Sequence, residues 1–313
     1  MRVLIDKYIP FLQGVLDGFA EVCMLEPEQF TPAVVRSADA LIIRTRTRCN
    51  AELLDGSNVR FIATATIGTD HIDIPYCQSR GIHVVSCPGC NAQAVCDYIE
   101  ETINYHLSIV NYQSSIVNYQ LSIGVVGVGH VGSLVAKMAE RHGLHVVLND
   151  PPRGINGDVT PCDIITFHTP LTHEGSCPTY HLCDAAFLAR CKPDALIINA
   201  ARGGVVDEQA LLDSSHPFVI DTWENEPQIN HQVLQAAQLA SCHIAGYSVE
   251  GKRNASQMCL DGLTAFFNMP ALRLNSRQLS QGDNMPGWLN RLSDKLKAHP
   301  DDFEQIRKAY RLR

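Results

Sequence analysis

Three side chains far apart in the chain have the types needed to hold an acidic group and move a proton: Arg202 in INAARGGVVDEQAL, Glu226 in IDTWENEP and His243 in HIAGYSVEGK. Each closely follows a short apolar run that reads as a strand. An arginine offers a planar fork of donors that matches a carboxylate and can polarise an adjacent oxygen. An imidazole is the side chain whose protonation changes nearest neutrality, so it can take a hydroxyl proton and give it back. A carboxylate within hydrogen-bond reach would fix the ring's tautomer and steady its protonated form. Taken alone, a histidine at the end of an apolar run is more often a packed bystander than a proton carrier. Arg202 and Glu226 on neighbouring strand ends favour the chemical role.

A second constellation is built to receive phosphates. SIGVVGVGHVGSLVAKMAERHG sets Gly127, Gly129 and Gly132 as G-x-G-x-x-G between a predicted strand and a helix with Val131, Leu134, Val135 and Met138 at helical spacing. Three glycines alone are weak evidence. Here a strand precedes them, a helix follows, and the next strand, HVVLND, ends in Asp150. That context is the dinucleotide fingerprint, in which helix amides face the pyrophosphate. Asp150 would accept hydrogen bonds from the adenosine ribose and repel a 2′-phosphate, favouring NAD over NADP, while Arg153 pulls the other way.

The elements that must position these residues are legible as alternating apolar runs and helix-length segments. RVLID, EVCML, ALIIRT, RFIATAT and HVVSC form one set; SIGVVG, HVVLND, IITFHT, ALIINA, FVIDTW and CHIAG form another. Runs apolar on both faces read as buried parallel strands, so the expected class is α/β with two doubly wound parallel-sheet domains. Ligands bind at the carboxyl ends of such strands, which directs attention to the cleft expected between the two domains. The expected division is 1–92 with 249–278 as a discontinuous substrate domain, 93–248 as the nucleotide domain, and 279–313 as a short C-terminal extension. Between the strand sets, SIVNYQ occurs twice, with Ile109, Ile116 and Ile123 in matching positions. Two copies are too few for a solenoid and read as a local duplication. The polar tail should contain one or two short helices, serving either oligomerisation or as a surface extension.

Composition narrows the partners. The formal charge is −8, which argues against broad nucleic-acid or membrane binding, so an anionic ligand needs a local cluster of positive charge. Arg44, Arg46 and Arg48 in IIRTRTRCN alternate, and an extended backbone would turn all three to one side as an anion clamp or a solvated basic edge. Twelve cysteines lie scattered through apolar runs, which suits buried thiols in a reducing compartment. Cys87 and Cys90 match C-x-x-C without a second pair at zinc spacing, so no metal is expected. The N-terminal residues alternate like a strand and lack a signal-peptide pattern, so the expected location is cytoplasmic.

Taken together, TATIGTDHID, PGCNAQAV, FHTPLT, WENEP and HIAGYSVEGK resemble the D-isomer-specific 2-hydroxyacid dehydrogenases over roughly residues 1–270. The resemblance implies a Rossmann-type NAD domain, a flavodoxin-like substrate domain, and Arg202, Glu226 and His243 as the catalytic set. It implies cofactor contacts at His130, Val131, Thr169, Ala200, Ala201, Asp221 and Gly246, beside Gly127, Gly129, Gly132 and Asp150. It assigns substrate contacts to Arg44, Thr45, Arg46, Thr66 and Tyr247, and the Tyr247 hydroxyl suggests a hydroxylated, phosphorylated acid. His71 and His168 lie in family motifs but are given no chemistry. The implied cofactor is NAD, the implied substrate a small phosphorylated hydroxyacid, and the implied assembly a homodimer. A dehydrogenase for another D-2-hydroxyacid, such as glycerate or 3-phosphoglycerate, and a non-catalytic NAD-sensing interaction protein are the alternatives. Two departures stand out. PPRGINGDVTPC replaces the crossover helix usual after Asp150, which should leave the adenine side more open, and the C-terminal region is shorter than the dimerisation domain of the most similar members.

Overall fold

The computed structural model describes residues 1–110, 120–274 and 287–313. Most of the duplicated SIVNYQ segment lies outside these residues. The chain divides into two compact units, Met1–Asn91 with Ser248–Ser280, and Ala92–Tyr247 with Gln281–Arg313.

In the first unit β1 (Arg2–Asp6), β2 (Glu21–Leu25), β3 (Ala40–Ile43), β4 (Phe61–Thr64) and β5 (His83–Val85) form a parallel sheet in the order β2-β1-β3-β4-β5. This is the flavodoxin-like arrangement. Alternate residues explain why its central strands carry unbroken apolar runs. Val3, Ile5, Ala40, Ile42, Phe61 and Ala63 pack on one face, and Leu4, Leu41, Ile43 and Ile62 on the other, so both faces are covered. The helix Val249–Phe266 is capped by the Ser248 hydroxyl, which accepts the Gly251 N–H at 2.9 Å as N-cap serines do. It lies against the first of these faces through Leu260 and Leu263.

The second unit holds β6 (Ser122–Val126), β7 (His145–Asp150), β8 (Ile155–Asn156), β9 (Ile164–Phe167), β10 (Leu196–Asn199), β11 (Phe218–Ile220) and β12 (Leu239–Ala240). Their order is β12-β11-β10-β9-β6-β7-β8, a Rossmann-type sheet whose direction of growth reverses between β6 and β9. All pairs are parallel except β7 with β8. The exception has a cause in chain length. Residues 151–154 make one 3-10 turn, whereas a parallel crossover requires a dozen or more residues, so the short strand returns antiparallel.

Two expectations are corrected here. CHIAG is not a strand: β12 is the preceding Leu239–Ala240, and the run from Cys242 leaves the sheet because the buried Asp221 carboxylate takes the N–H groups of Ile244 at 2.8 Å and Ala245 at 3.0 Å. Of the two readings open for the C-terminal segment, the plain surface extension does not hold for its described residues. Trp288, Leu289, Leu296, Phe303 and Ile306, on the helices Trp288–Ala298 and Phe303–Ala309, are buried in the same core as the second sheet. The Ala240 N–H donates to Ser293 Oγ at 3.0 Å and Lys297 donates to the Ala237 carbonyl, so this segment covers the edge beside β12.

Candidate active site

The glycine loop runs from the end of β6 into the helix His130–Arg141. Gly127 has φ +89°, and a Cβ there would lie 2.8 Å from the His168 carbonyl carbon, so the position takes glycine alone. A Cβ on Gly132 would lie 1.9 Å from the Gly127 carbonyl oxygen, so helix and strand approach closely only with glycine at that position. Gly129 differs. The nearest atom to its added Cβ would be Arg153 Nη1 at 3.7 Å, so the space in front of the helix start is open. No side chain caps this helix, which leaves the first amides, including those of His130 and Val131, for an anion.

Asp150 closes the loop from β7. It is buried, and its Oδ2 accepts from the Val128 N–H at 2.8 Å and from Arg153 Nη1 at 2.8 Å. Its Oδ1 has no partner among the described residues and can accept further hydrogen bonds. Thr169, two residues beyond β9, has a buried Oγ1 without a partner, and its Cγ2 would lie 3.0 Å from a Cβ on Gly127. An open glycine, uncapped helix amides, a spare carboxylate oxygen and an orphaned hydroxyl together fit a dinucleotide. His168, beside this loop, has its pKa pushed down to about 3 by burial and contacts Thr166 Oγ1 at 3.1 Å; it is a neutral packing residue.

Arg202, Glu226 and His243 follow β10, β11 and β12, three adjacent parallel strands, so the topology brings their carboxyl ends side by side. His243 Nδ1 lies 2.9 Å from Glu226 Oε2 and 3.1 Å from Oε1. Since the carboxylate accepts, Nδ1 carries a proton, which makes Nε2 the acceptor nitrogen of the neutral ring; Nε2 has no partner among the described residues. Burial pushes the Glu226 carboxyl up, but the hydrogen bond and charge of His243, the Trp223 N–H at 2.9 Å and the positive charge of Arg307 outweigh it, and its pKa falls below the ordinary value. His243 has φ +57°, a left-handed conformation that costs a non-glycine residue about 1–2 kcal/mol. Asp221 holds it there: besides the Ile244 and Ala245 amides its carboxylate accepts from Ser241 Oγ at 2.6 Å, and its carbonyl accepts the His243 N–H at 2.8 Å. Asp221 was expected at the cofactor, yet its side chain is buried and committed to anchoring this loop.

The Arg202 guanidinium donates to the Ala201 carbonyl at 2.8 Å, and its remaining donors have no partner among the described residues. Three residues that the sequence reading passed over set its loop. Asn199, at the end of β10, donates to the carbonyls of Arg202 at 3.0 Å and Thr222 at 3.3 Å and accepts the Ala201 N–H at 3.2 Å, which also fixes Ala200 and Ala201. His181 donates its backbone N–H to the Gly204 carbonyl at 2.7 Å, while its ring Nε2 meets Glu224 Oε1 at 2.9 Å and Nδ1 meets Asp207 Oδ2 at 3.4 Å. These three side chains are also close enough to share a metal ion, but each ring nitrogen faces its own carboxylate, as in a fastening between the Arg202 and Glu226 loops. Glu208 adds a further tie, accepting the Glu224 N–H at 2.7 Å. Gly246 and Tyr247 close the His243 loop, where Tyr247 Oη accepts from Arg307 Nε at 3.2 Å.

In the first unit the three alternating arginines do not share a face. β3 ends at Ile43 and residues 45–47 turn, with the Thr47 N–H on the Arg44 carbonyl at 3.1 Å, so the extended geometry is absent. Arg44 is bound twice to the fully buried Asp6, at 2.8 and 3.1 Å, and stacks over Tyr8. Thr45 and Arg46 are exposed on the turn. Thr66 Oγ1 donates to the Gly68 carbonyl at 3.0 Å and lies 2.7 Å from Thr64 Oγ1, which lies 3.0 Å from His71 Nε2. With one proton per hydroxyl, donation runs from His71 through Thr64 to Thr66 and Gly68, so Thr66 has only acceptor capacity left. His71 is poor in protons as well: burial lowers its pKa, against the opposing charge of Asp70.

A nucleotide-binding Rossmann sheet with an arginine, a glutamate–histidine pair and a second parallel-sheet unit defines the class, and the chain belongs to the D-isomer specific 2-hydroxyacid dehydrogenase family, whose NAD binding domain matches residues 111–245. Among curated relatives, erythronate-4-phosphate dehydrogenase of Bacteroides thetaiotaomicron is 41% identical over 340 aligned positions, covering 100% of this chain and 97% of that protein. The enzyme of the same name from Cronobacter sakazakii is 38% identical over 285 positions, covering 86% of this chain and 74% of that one. Among solved structures, the TT0316 protein of Thermus thermophilus superposes with a TM-score of 0.69 at 25% identity, over 87% of this chain and 99% of that protein.

Proposed function

We propose that this protein oxidises 4-phospho-D-erythronate to 2-oxo-3-hydroxy-4-phosphobutanoate with NAD, a step of pyridoxal phosphate formation. The observation that carries the reading is the Glu226–His243 pair, with Nδ1 held at 2.9 Å and Nε2 without a partner among the described residues, in the loops that follow β11 and β12 beside the β10 loop that carries Arg202. Bound NAD supplies the acceptor for the hydride leaving C2. His243 Nε2 takes the hydroxyl proton as the C2 carbonyl forms, and Glu226 steadies the resulting imidazolium. Arg202 directs its spare donors at the substrate carboxylate and the C2 oxygen. The glycine loop, Asp150 and Thr169 hold the cofactor, with Ala200, Ala201 and Gly246 as further contacts.

The phosphorylated substrate is supported by the names of relatives matched along the whole chain. Thr45, Thr66 and Tyr247 are assigned to it by resemblance and Arg46 as a nearby positive charge, while Arg44 is held in its pair with Asp6. The protein is expected to work as a homodimer in the cytoplasm; among the described residues no helix is long and apolar enough to cross a membrane. Turnover of purified protein with NAD on 4-phosphoerythronate, 3-phosphoglycerate and glycerate, followed by reduced-nicotinamide absorbance, tests the reading. 4-Phosphoerythronate should give the highest kcat/KM by at least tenfold. Faster turnover of either other acid would reassign the substrate, and no turnover of any would leave an NAD-sensing module.

A further inference from the structure

The C-terminal helix Phe303–Ala309 brings a guanidinium to the back of the catalytic loop. Arg307 Nε donates to Tyr247 Oη at 3.2 Å, the guanidinium carbon lies 5.8 Å from the Tyr247 ring centre, and Nη1 lies 3.2 Å from Glu304 Oε1 one turn earlier. The Tyr247 ring in turn meets Tyr310 edge-on at 6.3 Å. A second arginine holds the same loop: Arg313 Nη2 donates to the carbonyls of Ala245 and, at 3.0 Å, Ala94. Two cations from one terminal segment thus grip the loop on either side of Gly246, close in sequence to His243.

We propose that Arg307 is a positioning residue for the dehydrogenase reaction: through the Tyr247 hydroxyl and its charge beside Glu226 it sets the geometry and proton affinity of the Glu226–His243 pair. This rests on His243 being the base. The electrostatics agree with the geometry. Burial works against the Arg307 charge, but Tyr247, Glu226 and Glu304 outweigh it and hold its pKa above the ordinary value, while Arg307 is among the groups that lower Glu226. Among the described residues, His243 itself, Glu208 and the buried Cys242 also interact with the Glu226 charge. A cation beside the pair opposes further positive charge on it, so removing Arg307 should move the acid limb of the oxidation profile to higher pH. Helix and loop lie within one compact unit, so this influence needs no domain motion.

The test compares Arg307→Met, Arg307→Lys and Tyr247→Phe in the full-length protein, measuring kcat, KM and the pH dependence of kcat/KM for 4-phosphoerythronate oxidation. Arg307→Met should lower kcat by about tenfold, leave NAD affinity within twofold, and move the acid limb up by several tenths of a pH unit. Arg307→Lys should restore the limb while kcat stays reduced, and Tyr247→Phe should lower kcat without moving the limb. A wild-type kcat and limb in Arg307→Met would overturn the proposal. If that variant does not fold, a limb in Arg307→Lys displaced from wild type, or a wild-type kcat in Tyr247→Phe, would overturn it instead. His243→Ala, run alongside, separates the two ideas, because turnover surviving in that variant refutes the base and not merely its support.

Discussion

Glu208 shows how much a single side chain near the Glu226–His243 pair can carry. Burial pushes its carboxyl up to about 7, opposed by the Glu224 N–H and reinforced by the charges of Glu224, Glu226 and Asp207. Its native pKa lies above its unfolded one, so it binds a proton in the folded state that the unfolded chain has released. Stability from this group is therefore complete in acid and declines as pH rises from about 4.5 to 7, by up to about 3 kcal/mol. Glu208→Gln removes the slope. Its melting temperature relative to wild type should be several degrees more favourable at pH 8 than at pH 5, and an equal difference at both would contradict the buried proton. Glu226 has the opposite sign: its lowered pKa adds stability above the ordinary carboxylate range that is lost as pH falls through the native value. The sequence displayed Arg202, Glu226 and His243 because residue type and strand-end position are local signals. It did not display His181 or Arg307, because their work is a long-range hydrogen bond that no spacing announces, nor Asn199, whose bonds to Ala201 and Arg202 are local but exist only in the turn that follows β10. Asp6 hid in plain view, as the buried acid that ends the apolar run of β1.

The glycine loop separates architecture from binding. Gly132→Ala puts a methyl 1.9 Å from the Gly127 carbonyl oxygen, so it should lower the melting temperature by about ten degrees or more, or prevent folding. Gly129→Ala meets nothing closer than 3.7 Å and should melt within about two degrees of wild type. It should nonetheless weaken NAD at least tenfold by standing where the pyrophosphate approaches; unchanged NAD affinity in Gly129→Ala would remove the loop from the cofactor site. Strand existence was largely legible here, since short apolar runs bounded by turn residues suit strands buried on both faces, and the absence of an α-helix directly after Asp150 followed from prolines and glycines. Strand ends were less legible. CHIAG has the composition of a strand but belongs to a loop because Asp221, more than twenty residues earlier, captures its amides. IIRTRTRCN alternates, yet turns after Ile43 with Arg44 drawn to Asp6.

For the molecule as a whole, the two sheets were readable from the order of apolar runs, whereas the fate of the C-terminal segment was not. A polar composition conceals five buried apolar side chains that complete the nucleotide unit. Phe303, 1% exposed, is one of them, and Phe303→Ala should cost about 3–5 kcal/mol, read as a lower denaturant midpoint for the whole second unit. A loss below about 1 kcal/mol would mean that the segment is an appendage. All of this serves one arrangement, an imidazole held by a carboxylate on the edge of an NAD-binding sheet. The most direct test is single-turnover formation of reduced nicotinamide by His243→Ala with saturating NAD and 4-phosphoerythronate, together with its NAD affinity. The account predicts a rate about 10²–10⁴-fold below wild type with NAD binding within twofold. A variant that retains more than a tenth of the wild-type rate would contradict it.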